Sequence, residues 1–366
     1  MPSVVLAAGG TGGHLFPAVS LAEELGRRGY AVDLMTDMRG HQYGSDFPAR
    51  ATYRLPAATL GGRSPIAFAK TSWTLLKGLR EARRLLREIR PGAVVGFGGY
   101  PSFAPLLGAS MLKIPTILHE QNAVLGRANR MLAGRVDCIA TSFESVSLVP
   151  DGAAGKVHFV GNPVRDAVIR AAAAPYVPAE AEGTFSLLVF GGSQGARFFS
   201  DCIPAAVKLM YEEDRRRLRI VQQCRPEDIE RVGQVYAELG VDAELSSFFA
   251  DLPEIMASSH LVIGRAGAST VAELTVLGRP AVLVPLPHAL DNDQLQNATK
   301  LAESGGGWCI PEKDLPPEYV AEMLAGFMSH PDMLVAAAEA ARQQGRPDAV
   351  SRFADVVVGM IQSRPG

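Results

Sequence analysis

Short apolar runs, glycine-rich turns and helical patterns follow one another along the whole chain of 366 residues. The runs are rich in Val, Ile and Leu, which is typical of strands buried on both faces of a parallel sheet. The segments between them carry apolar residues three and four positions apart, which indicates amphipathic helices. This alternation predicts an α/β protein built from βα units.

The predicted strands form two groups, each opened by a strand and a glycine loop. Val4–Gly13 and Leu187–Ala196 share that plan, which indicates a duplicated domain. The predicted strands are Val4–Ala8, Val32–Thr36, Ala93–Gly96, Thr116–His119, Cys138–Ala140, Val157–Val160, Leu187–Phe190, Ile220–Gln223, Leu261–Ile263 and Ala281–Val284.

The chain is too long for one ordinary core, because cores stop growing at roughly 250–300 residues. Pro163 holds Asn162 extended and blocks a helix there, so we expect a first domain over 1–161 and a second over 162–345. A further hinge is predicted near Gln343–Pro347. It would let a last helix, at about 346–366, pack back on the first domain.

The overall charge of −2 hides an uneven distribution. Residues 1–160 carry 18 Lys and Arg against 11 Asp and Glu, a net of +7, and the remaining residues carry a net of −9. The basic part is expected to meet an anionic surface or ligand, and we expect no nucleic-acid partner. Four distant cysteines without a CxxC pair favour neither disulfides nor structural zinc, and indicate the reduced cytoplasm.

Neither a signal peptide nor a transmembrane span is predicted. The N-terminus has no basic leader before its apolar stretch. Residues 91–112 are uncharged for 22 positions, but they contain five glycines and three prolines, and therefore indicate strand, loop and helix.

Glycine loops after three strands indicate phosphate binding. The loops Gly9–Gly13, Gly96–Tyr100 and Gly191–Gly195 would lie at the carboxyl edges of the sheets, where backbone N–H groups can approach an anion. One such loop could equally be a tight turn, but three favour two phosphate-bearing substrates. Leu15 and Pro101 occupy the third-glycine positions of a dinucleotide fingerprint, and no P-loop motif occurs, which argues against NAD and against a P-loop NTPase.

Six motifs, in order from about residue 3 to about residue 300, carry a family resemblance. They are Gly-Gly-Thr-Gly-Gly-His at 9–14, Gly-Phe-Gly-Gly-Tyr-Pro-Ser at 96–102, His-Glu-Gln-Asn at 119–122, Gly-Asn-Pro-Val-Arg at 161–165, Phe-Gly-Gly-Ser-Gln-Gly-Ala at 190–196, and Gln294 with Asn297-Ala298. With them the chain resembles the MurG family of UDP-N-acetylglucosamine transferases, which belongs to glycosyltransferase family 28.

The resemblance implies a GT-B fold, in which two Rossmann-like lobes face a cleft. It also implies inverting transfer of N-acetylglucosamine from its UDP donor to the 4-hydroxyl of the muramyl sugar of undecaprenyl-diphosphate lipid I. Lipid II and UDP would be the products. The expected partners are therefore UDP-N-acetylglucosamine, lipid I and an anionic membrane surface, and the expected location is peripheral, at the cytoplasmic face of the bacterial inner membrane. No obligatory cofactor is expected.

The resemblance assigns the donor mainly to the second lobe, with Glu273 on the ribose hydroxyls and the Phe249 backbone on uracil. Ser193 would contact the diphosphate and Gln294 the sugar hydroxyls. An alternative for Glu273 is a capping box with Thr270, and both roles could share the helix start. The implied donor-binding residues are Thr11, Gly12, Gly13, Asn122, Arg165, Ser193, Phe249, Ala268, Ser269, Thr270, Glu273 and Gln294.

His14 is the candidate catalytic residue. It follows a glycine loop at a helix start, where the helix dipole disfavours added positive charge and a neutral imidazole can accept a proton. It is expected to act as general base or as a binder of the lipid diphosphate. His119 and Glu120 could also form a satisfied polar network. The expected acceptor-side residues are Gly98, Gly99, Tyr100, His119 and Glu120.

Asp291-Asn292-Asp293 resembles the DxD motif that holds a divalent metal in other glycosyltransferases. Because helix dipoles and hydrogen bonds can offset the charge of the leaving diphosphate, no obligatory metal is expected.

The segment from Arg63 to Arg90 has a net charge of +6, with apolar residues interleaved. This pattern predicts an interfacial membrane anchor, and an ordinary helix with one buried face is the alternative. The apolar residues are Ile66, Phe68, Trp73, Leu75, Leu76, Leu79, Leu85, Leu86 and Ile89.

The competing interpretations are another GT-B glycolipid glycosyltransferase, a UDP-N-acetylglucosamine 2-epimerase, and a sugar-nucleotide sensor without turnover. The motifs at 96–102 and 119–122 match the muramyl-lipid pattern and favour the transferase over the epimerase.

Overall fold

The structure is a computed structural model that describes residues 2–9, 12–37, 47–57, 65–192 and 195–363. The chain forms two compact units. The first comprises Met1–Arg165 with Pro347–Gly366, and the second Asp166–Arg346. The sequence places this boundary slightly earlier, at residue 161.

The first unit is built on a seven-stranded parallel sheet. Its strands are β1 Ser3–Ala7, β2 Ala31–Thr36, β3 Ala51–Arg54, β4 Ala93–Gly96, β5 Thr116–Glu120, β6 Cys138–Thr141 and β7 Val157–Phe159. Its helices are α1 Gly12–Arg27, α2 Pro65–Ile89, α3 Gly99–Met111, α4 Arg127–Ala133 and α14 Ala349–Gln362, with a 3-10 turn at Asp151–Lys156.

The strands of this sheet lie in the order β3-β2-β1-β4-β5-β6-β7. Alternating strand residues enter two separate cores, because successive side chains point to opposite faces. Val4 and Leu6 face α1 and α14, whereas Val5 and Ala7 face α2, α3 and α4.

The second unit repeats the plan on a six-stranded parallel sheet. Its strands are β8 Phe185–Phe190, β9 Leu218–Gln223, β10 Asp242–Ser246, β11 Leu261–Gly264, β12 Ala281–Leu283 and β13 Gly307–Cys309, in the order β10-β9-β8-β11-β12-β13. Its helices are α5 Asp166–Ala171, α6 Arg197–Leu209, α7 Glu212–Arg217, α8 Ile229–Glu238, α9 Leu252–Ser258, α10 Ala268–Leu277, α11 Asp293–Glu303, α12 Pro317–Ser329 and α13 Pro331–Gln344, with 3-10 turns at Pro226–Asp228, Leu290–Asn292 and Glu312–Asp314.

The predicted α/β class and all ten predicted strands are confirmed. The structure adds β3, β10 and β13, and each of these is an edge strand of its sheet. Edge strands are partly exposed and need no continuous apolar run; β3, for example, alternates half-buried and exposed residues. The apolar pattern therefore located the buried strands and missed these edges.

Both sheets have a switch point at their centre. In the first, the chain passes from β1 outward to β2 and β3, and then returns to β4 on the other side of β1. In the second, it passes from β8 to β9 and β10, and then returns to β11 beside β8. Ligands of open α/β sheets bind beyond the carboxyl ends of the strands at such points. The switch points therefore lie at the loops after β1 and β4, and after β8 and β11.

The C-terminal helix α14 completes the first unit. Phe353, Ala354 and Val357 are fully buried in the core that α1 shares. On the surface, Arg28 Nη1 of α1 donates to Asp355 Oδ1 of α14 at 2.6 Å. In the described ranges, no helix is long and apolar enough to cross a membrane.

Candidate active site

His14 lies in the first turn of α1, beside the switch point of the first sheet. Its Nδ1 is 3.1 Å from Gln121 Oε1, just after β5. Gly98 and Gly99 face the same ring, with φ angles of 84° and 67° that L side chains rarely adopt. A Cβ at Gly98 would lie 3.4 Å from His14 Cε1, and a Cβ at Gly99 would lie 3.8 Å from His14 Nε2. These glycines keep the approach to the imidazole open.

Gln121 connects His14 to the interior. Its Nε2 lies 3.0 Å from the carbonyl oxygen of Phe97 and 2.9 Å from His119 Nδ1. The side chain is buried, so both ends of the amide are satisfied inside the protein. Sequence reasoning named His119 and Glu120 in this motif but assigned no role to Gln121.

His119 is fully buried at the end of β5. Its ring stacks on Phe353 of α14 with centroids 4.8 Å apart, and Phe97 lies tilted against it at 5.6 Å. Its Nε2 lies 3.4 Å from the carbonyl oxygen of Gly161. Burial lowers the pKa of His119 to about 3, so the ring is neutral at physiological pH.

Glu120 is 2% exposed and accepts four hydrogen bonds from its own chain. Oε1 accepts from Asn122 N at 3.1 Å and Asn122 Nδ2 at 3.2 Å. Oε2 accepts from Gly126 N at 2.9 Å and Asn129 Nδ2 at 2.6 Å. Burial raises the pKa of Glu120 above its usual range, while these four N–H donors favour the ionised form. The carboxylate thus fixes the turn that leads into α4.

Arg165 ends the first unit, and its guanidinium lies over the ring of Phe16 on α1, 5.1 Å from the centroid. The boundary expected from the sequence, at residue 161, assigns Arg165 to the second domain. In the structure Arg165 instead belongs to the first unit and lies beside α1. Tyr100 lies half-buried in the first turn of α3.

The first turn of α10 follows β11 at the switch point of the second sheet. It contains Ala268, Ser269 and Thr270, which are half-buried. The first N–H groups of a helix have no intrahelical partner, and together with the helix dipole they favour an anion. Ser269 Oγ is buried and has no hydrogen-bond partner among the described residues. This turn can therefore bind a phosphate or a hydroxyl.

Glu273 is 6% exposed in the second turn of α10. The capping-box alternative is wrong, because it requires Thr270 to precede the helix. The N-cap is Gly267, which makes no side-chain cap, and Thr270 lies inside the first turn. The extended conformation of Gly267 starts the helix three residues earlier than the motif indicates.

Two glutamines tie loops of the second unit together. Gln223, at the end of β9, accepts from Gly191 N at 3.0 Å and donates to the carbonyl oxygen of Ser247 at 3.1 Å. It thereby links the glycine loop after β8 to the segment that carries Phe249.

Gln294 on α11 accepts from Leu286 N at 3.0 Å, and its amide nitrogen has no partner within the described ranges. That nitrogen can donate to a ligand.

Asn297, one helical turn beyond Gln294, is fully buried and donates to the carbonyl oxygen of Ala266 at 3.0 Å. It holds the segment that leads into α10. The role of Asn297 in the motif that it shares with Gln294 is therefore to position the segment before α10.

Two family models match the chain: the glycosyltransferase family 28 N-terminal domain over residues 4–141 and the glycosyltransferase family 28 C-terminal domain over residues 186–353. The chain is 50% identical, over 99% of its length and 96% of the relative, to the UDP-N-acetylglucosamine--N-acetylmuramyl-(pentapeptide) pyrophosphoryl-undecaprenol N-acetylglucosamine transferase of Rhizobium rhizogenes. The chain belongs to glycosyltransferase family 28. The predicted family resemblance is therefore confirmed.

Solved structures agree with the family 28 assignment. The crystal structure of Acinetobacter baumannii MurG matches with a TM-score of 0.80 and 27% identity, covering 98% of this chain and 100% of that one. The UDP-GlcNAc 2-epimerase of Neisseria meningitidis matches with a TM-score of 0.69, over 100% of both chains, at 15% identity. The second likeness shows the shared GT-B fold alone.

The roles predicted for the site residues of this family 28 chain stay predictions. Thr11 and Ser193 lie outside the described residues, as does Arg63 of the basic segment. Gly12 and Gly13 begin α1. Across the described part of the chain, no group of three His, Cys, Asp or Glu residues is placed to hold a metal ion. The expectation that transfer needs no metal stays a prediction.

Helix α2 of the family 28 chain has one buried and one exposed face. Leu85 and Leu86 are buried in the core, as the ordinary-helix alternative predicts. The opposite side carries an exposed set that we term the basic face of α2. Its members are Trp73, Leu76, Lys77, Arg80 and Arg84.

Proposed function

We propose that this chain transfers N-acetylglucosamine from UDP-N-acetylglucosamine to the 4-hydroxyl of the muramyl sugar of undecaprenyl-diphosphate lipid I, giving lipid II and UDP. The observation that carries the proposal is the 50% identity, over 99% of the chain, to a transferase whose name specifies this sugar, donor and acceptor. A helix N-terminus, which can bind an anion, lies beside the switch point of each sheet, and donor and acceptor both contain a diphosphate.

His14 is the proposed general base. Its Nε2 removes the proton of the acceptor hydroxyl, and the oxygen then attacks the anomeric carbon of the donor. The bond from that carbon to the phosphate oxygen breaks, and UDP leaves with the electron pair. A single displacement of this kind inverts the anomeric centre. General-base catalysis is typically worth about 10²–10⁴ in rate.

Donor binding is proposed for the second unit. The N-terminal turn of α10 would offset the charge on the diphosphate, which is why the proposal includes no obligatory metal. Glu273 would accept hydrogen bonds from both ribose hydroxyls, the free amide of Gln294 would donate to a sugar hydroxyl, and the backbone of Phe249 would contact uracil.

The proposed donor site is tested with Glu273→Gln, which keeps the side-chain volume and removes the charge. Hydrogen bonds to a charged group contribute about 1.5–3 kcal/mol, so UDP should bind about 10- to 150-fold more weakly by calorimetry. Glu254→Gln, at an exposed position in the first turn of α9, is the matched control. Unchanged UDP affinity in the folded variant would remove Glu273 from the site.

The transfer itself is tested by incubating the wild-type protein with UDP-N-acetylglucosamine and lipid I. We expect UDP and lipid II to form together, and UDP release to continue in the presence of EDTA. Binding of the donor without UDP release would instead favour a sugar-nucleotide sensor. Formation of the 2-epimer of the donor would favour an epimerase.

The basic face of α2 is the proposed membrane contact. Trp73 is 68% exposed and Leu76 is 55% exposed. They share the face with Lys77 and Arg80 at helical spacing, whereas Arg84 is paired with Glu81 and Glu88 at 2.5 and 2.9 Å. Exposed apolar residues surrounded by cations are typical of interfacial helices. No helix in the described ranges is long and apolar enough to cross a membrane. A membrane contact at this face would instead bring the chain to its lipid-linked acceptor.

Vesicle co-sedimentation with Lys77→Glu/Arg80→Glu tests this contact. Each cation near an anionic surface contributes about 1 kcal/mol, so losing two should weaken binding at least about 30-fold at low salt. Lys208→Glu/Lys313→Glu makes the same charge change at exposed positions of the second unit. Equal loss of binding in the two variants would show a general charge effect, and no loss in either would place the contact elsewhere.

A further inference from the structure

We propose that Gln121 is a positioning residue that holds His14 in the tautomer with the proton on Nδ1, leaving Nε2 as the proton acceptor. This inference rests on the proposed function for its catalytic meaning. It assigns a role to a buried glutamine that makes no direct contact with a substrate in the proposed mechanism.

The orientation of the Gln121 amide follows from one neighbour that can only accept. The carbonyl oxygen of Phe97 lies 3.0 Å from one end of the amide, and a carbonyl has no proton to donate. That end must therefore be the NH2 group. The other end, 3.1 Å from His14 Nδ1, is then the amide oxygen.

The second N–H of Gln121 is also committed. It points to His119 Nδ1 at 2.9 Å, which accepts because His119 carries its proton on Nε2, next to the carbonyl oxygen of Gly161. Burial of His119 keeps the ring neutral, so Nδ1 stays unprotonated. Two acceptors on one side of the amide thus oppose a flip that would exchange its oxygen and nitrogen.

An amide oxygen facing His14 Nδ1 can only accept, so Nδ1 must carry the proton. In a neutral imidazole the other nitrogen then has the lone pair. No described residue bonds His14 Nε2, and Gly98 and Gly99 leave its surroundings open. Two ionisable groups of the described residues interact with His14: His119, which is neutral, and Glu120, whose four hydrogen bonds hold it in place.

Without this contact, a neutral His14 could carry its proton on either nitrogen, and molecules with the proton on Nε2 could not act as base. In serine proteases, loss of the residue that fixes the tautomer of the histidine lowers kcat by about 10⁴. Because a neutral amide orients the ring less strongly than a carboxylate, we expect Gln121→Leu to lower kcat by about 10- to 100-fold. The KM for UDP-N-acetylglucosamine should remain unchanged.

The direct test is 15N NMR of the histidine side chains in the full-length protein without substrates. Long-range couplings distinguish a protonated from an unprotonated ring nitrogen, and His14→Gln assigns the signals. In the wild type we expect His14 Nδ1 to be protonated and Nε2 unprotonated. In Gln121→Leu the two nitrogens should move towards the averaged shifts of mixed tautomers. Ser142→Ala removes the 3.4 Å contact on the far side of His119 and should leave the His14 signals unchanged.

Wild-type His14 with its proton on Nε2 would overturn the inference, whatever the behaviour of Gln121→Leu. A folded Gln121→Leu with wild-type His14 signals and wild-type kcat would also overturn it. A failure of the proposed function can be distinguished from a failure of this inference. The first would show as absence of UDP release by the wild type, whereas the His14 tautomer is measured without substrate.

Discussion

Replacing Glu120 by glutamine separates its two predicted roles. Glu120 accepts from two N–H groups at each carboxylate oxygen, at distances of 2.6–3.2 Å. A glutamine offers one oxygen, so the two donors that face its NH2 group lose their acceptor. Hydrogen bonds to charged groups contribute about 1.5–3 kcal/mol each, which gives a loss of about 3–6 kcal/mol.

Two effects reduce that loss. The side chain of Asn129 can rotate, because its Oδ1 is buried without a partner among the described residues and could accept from the new NH2 group. A neutral glutamine also avoids the cost of burying a charge, the cost that raises the pKa of Glu120. The net destabilisation should be about 2–4 kcal/mol. For a unit of this size that lowers Tm by about 4–16 °C.

Scanning calorimetry of Glu120→Gln measures this shift, and transfer assays on the same samples measure kcat. Glu23→Gln, at an exposed position on α1, is the control for a change of charge alone. We expect the Tm of the first unit to fall in Glu120→Gln and to stay at the wild-type value in the control. A wild-type Tm combined with a strong fall in kcat would refute the structural reasoning and favour direct contact with the acceptor.

Two further predictions concern buried polar residues. Because burial lowers the pKa of His119 to about 3 from an ordinary 6.5, the folded protein binds fewer protons than the unfolded chain between these values, and stability falls as pH drops. Urea unfolding should show about 2 kcal/mol less stability at pH 5 than at pH 7 from this residue, and His119→Phe should lack that component; an unchanged pH slope in His119→Phe would contradict the assignment. Gln223→Leu removes both ties between the Gly191 and Ser247 segments and should weaken UDP binding up to about 30-fold by calorimetry, while equal affinity would show that the loops hold their positions without it.

The buried strands and the glycine loops could be predicted from the sequence, because each leaves a local pattern. Contacts between distant positions could not. Gln121 meets His14 across 107 positions, and Gln223 meets Gly191 across 32. No spacing rule identifies such pairs. Glutamine is also common on protein surfaces, so its presence in a motif does not indicate a buried contact. Only the parallel order of the strands brings the two members of each pair to the same edge of their own sheet.

Short motifs also failed where backbone conformation decided the outcome. Thr270 and Glu273 fit a capping box by residue type, yet the helix begins after Gly267, so the same two residues lie inside it. The net charge of the segment from Arg63 to Arg90 gave no information on pairing. Arg84 is bound to two glutamates of its own helix, while Lys77 and Arg80 remain exposed beside Trp73.

The return of the chain to its first unit has a consequence for biosynthesis. The ring of His119 is covered by Phe353, which the ribosome adds 234 positions later. The continuous segment Asp166–Arg346 is complete before α14 leaves the ribosome, whereas the first unit must wait for its last helix. Nascent chains stalled before residue 349 would therefore expose the apolar surface beneath α14. The residues around His14 would reach their final environment only after α14 has been synthesised, so a product truncated before residue 349 would lack the Phe353 ring that covers His119.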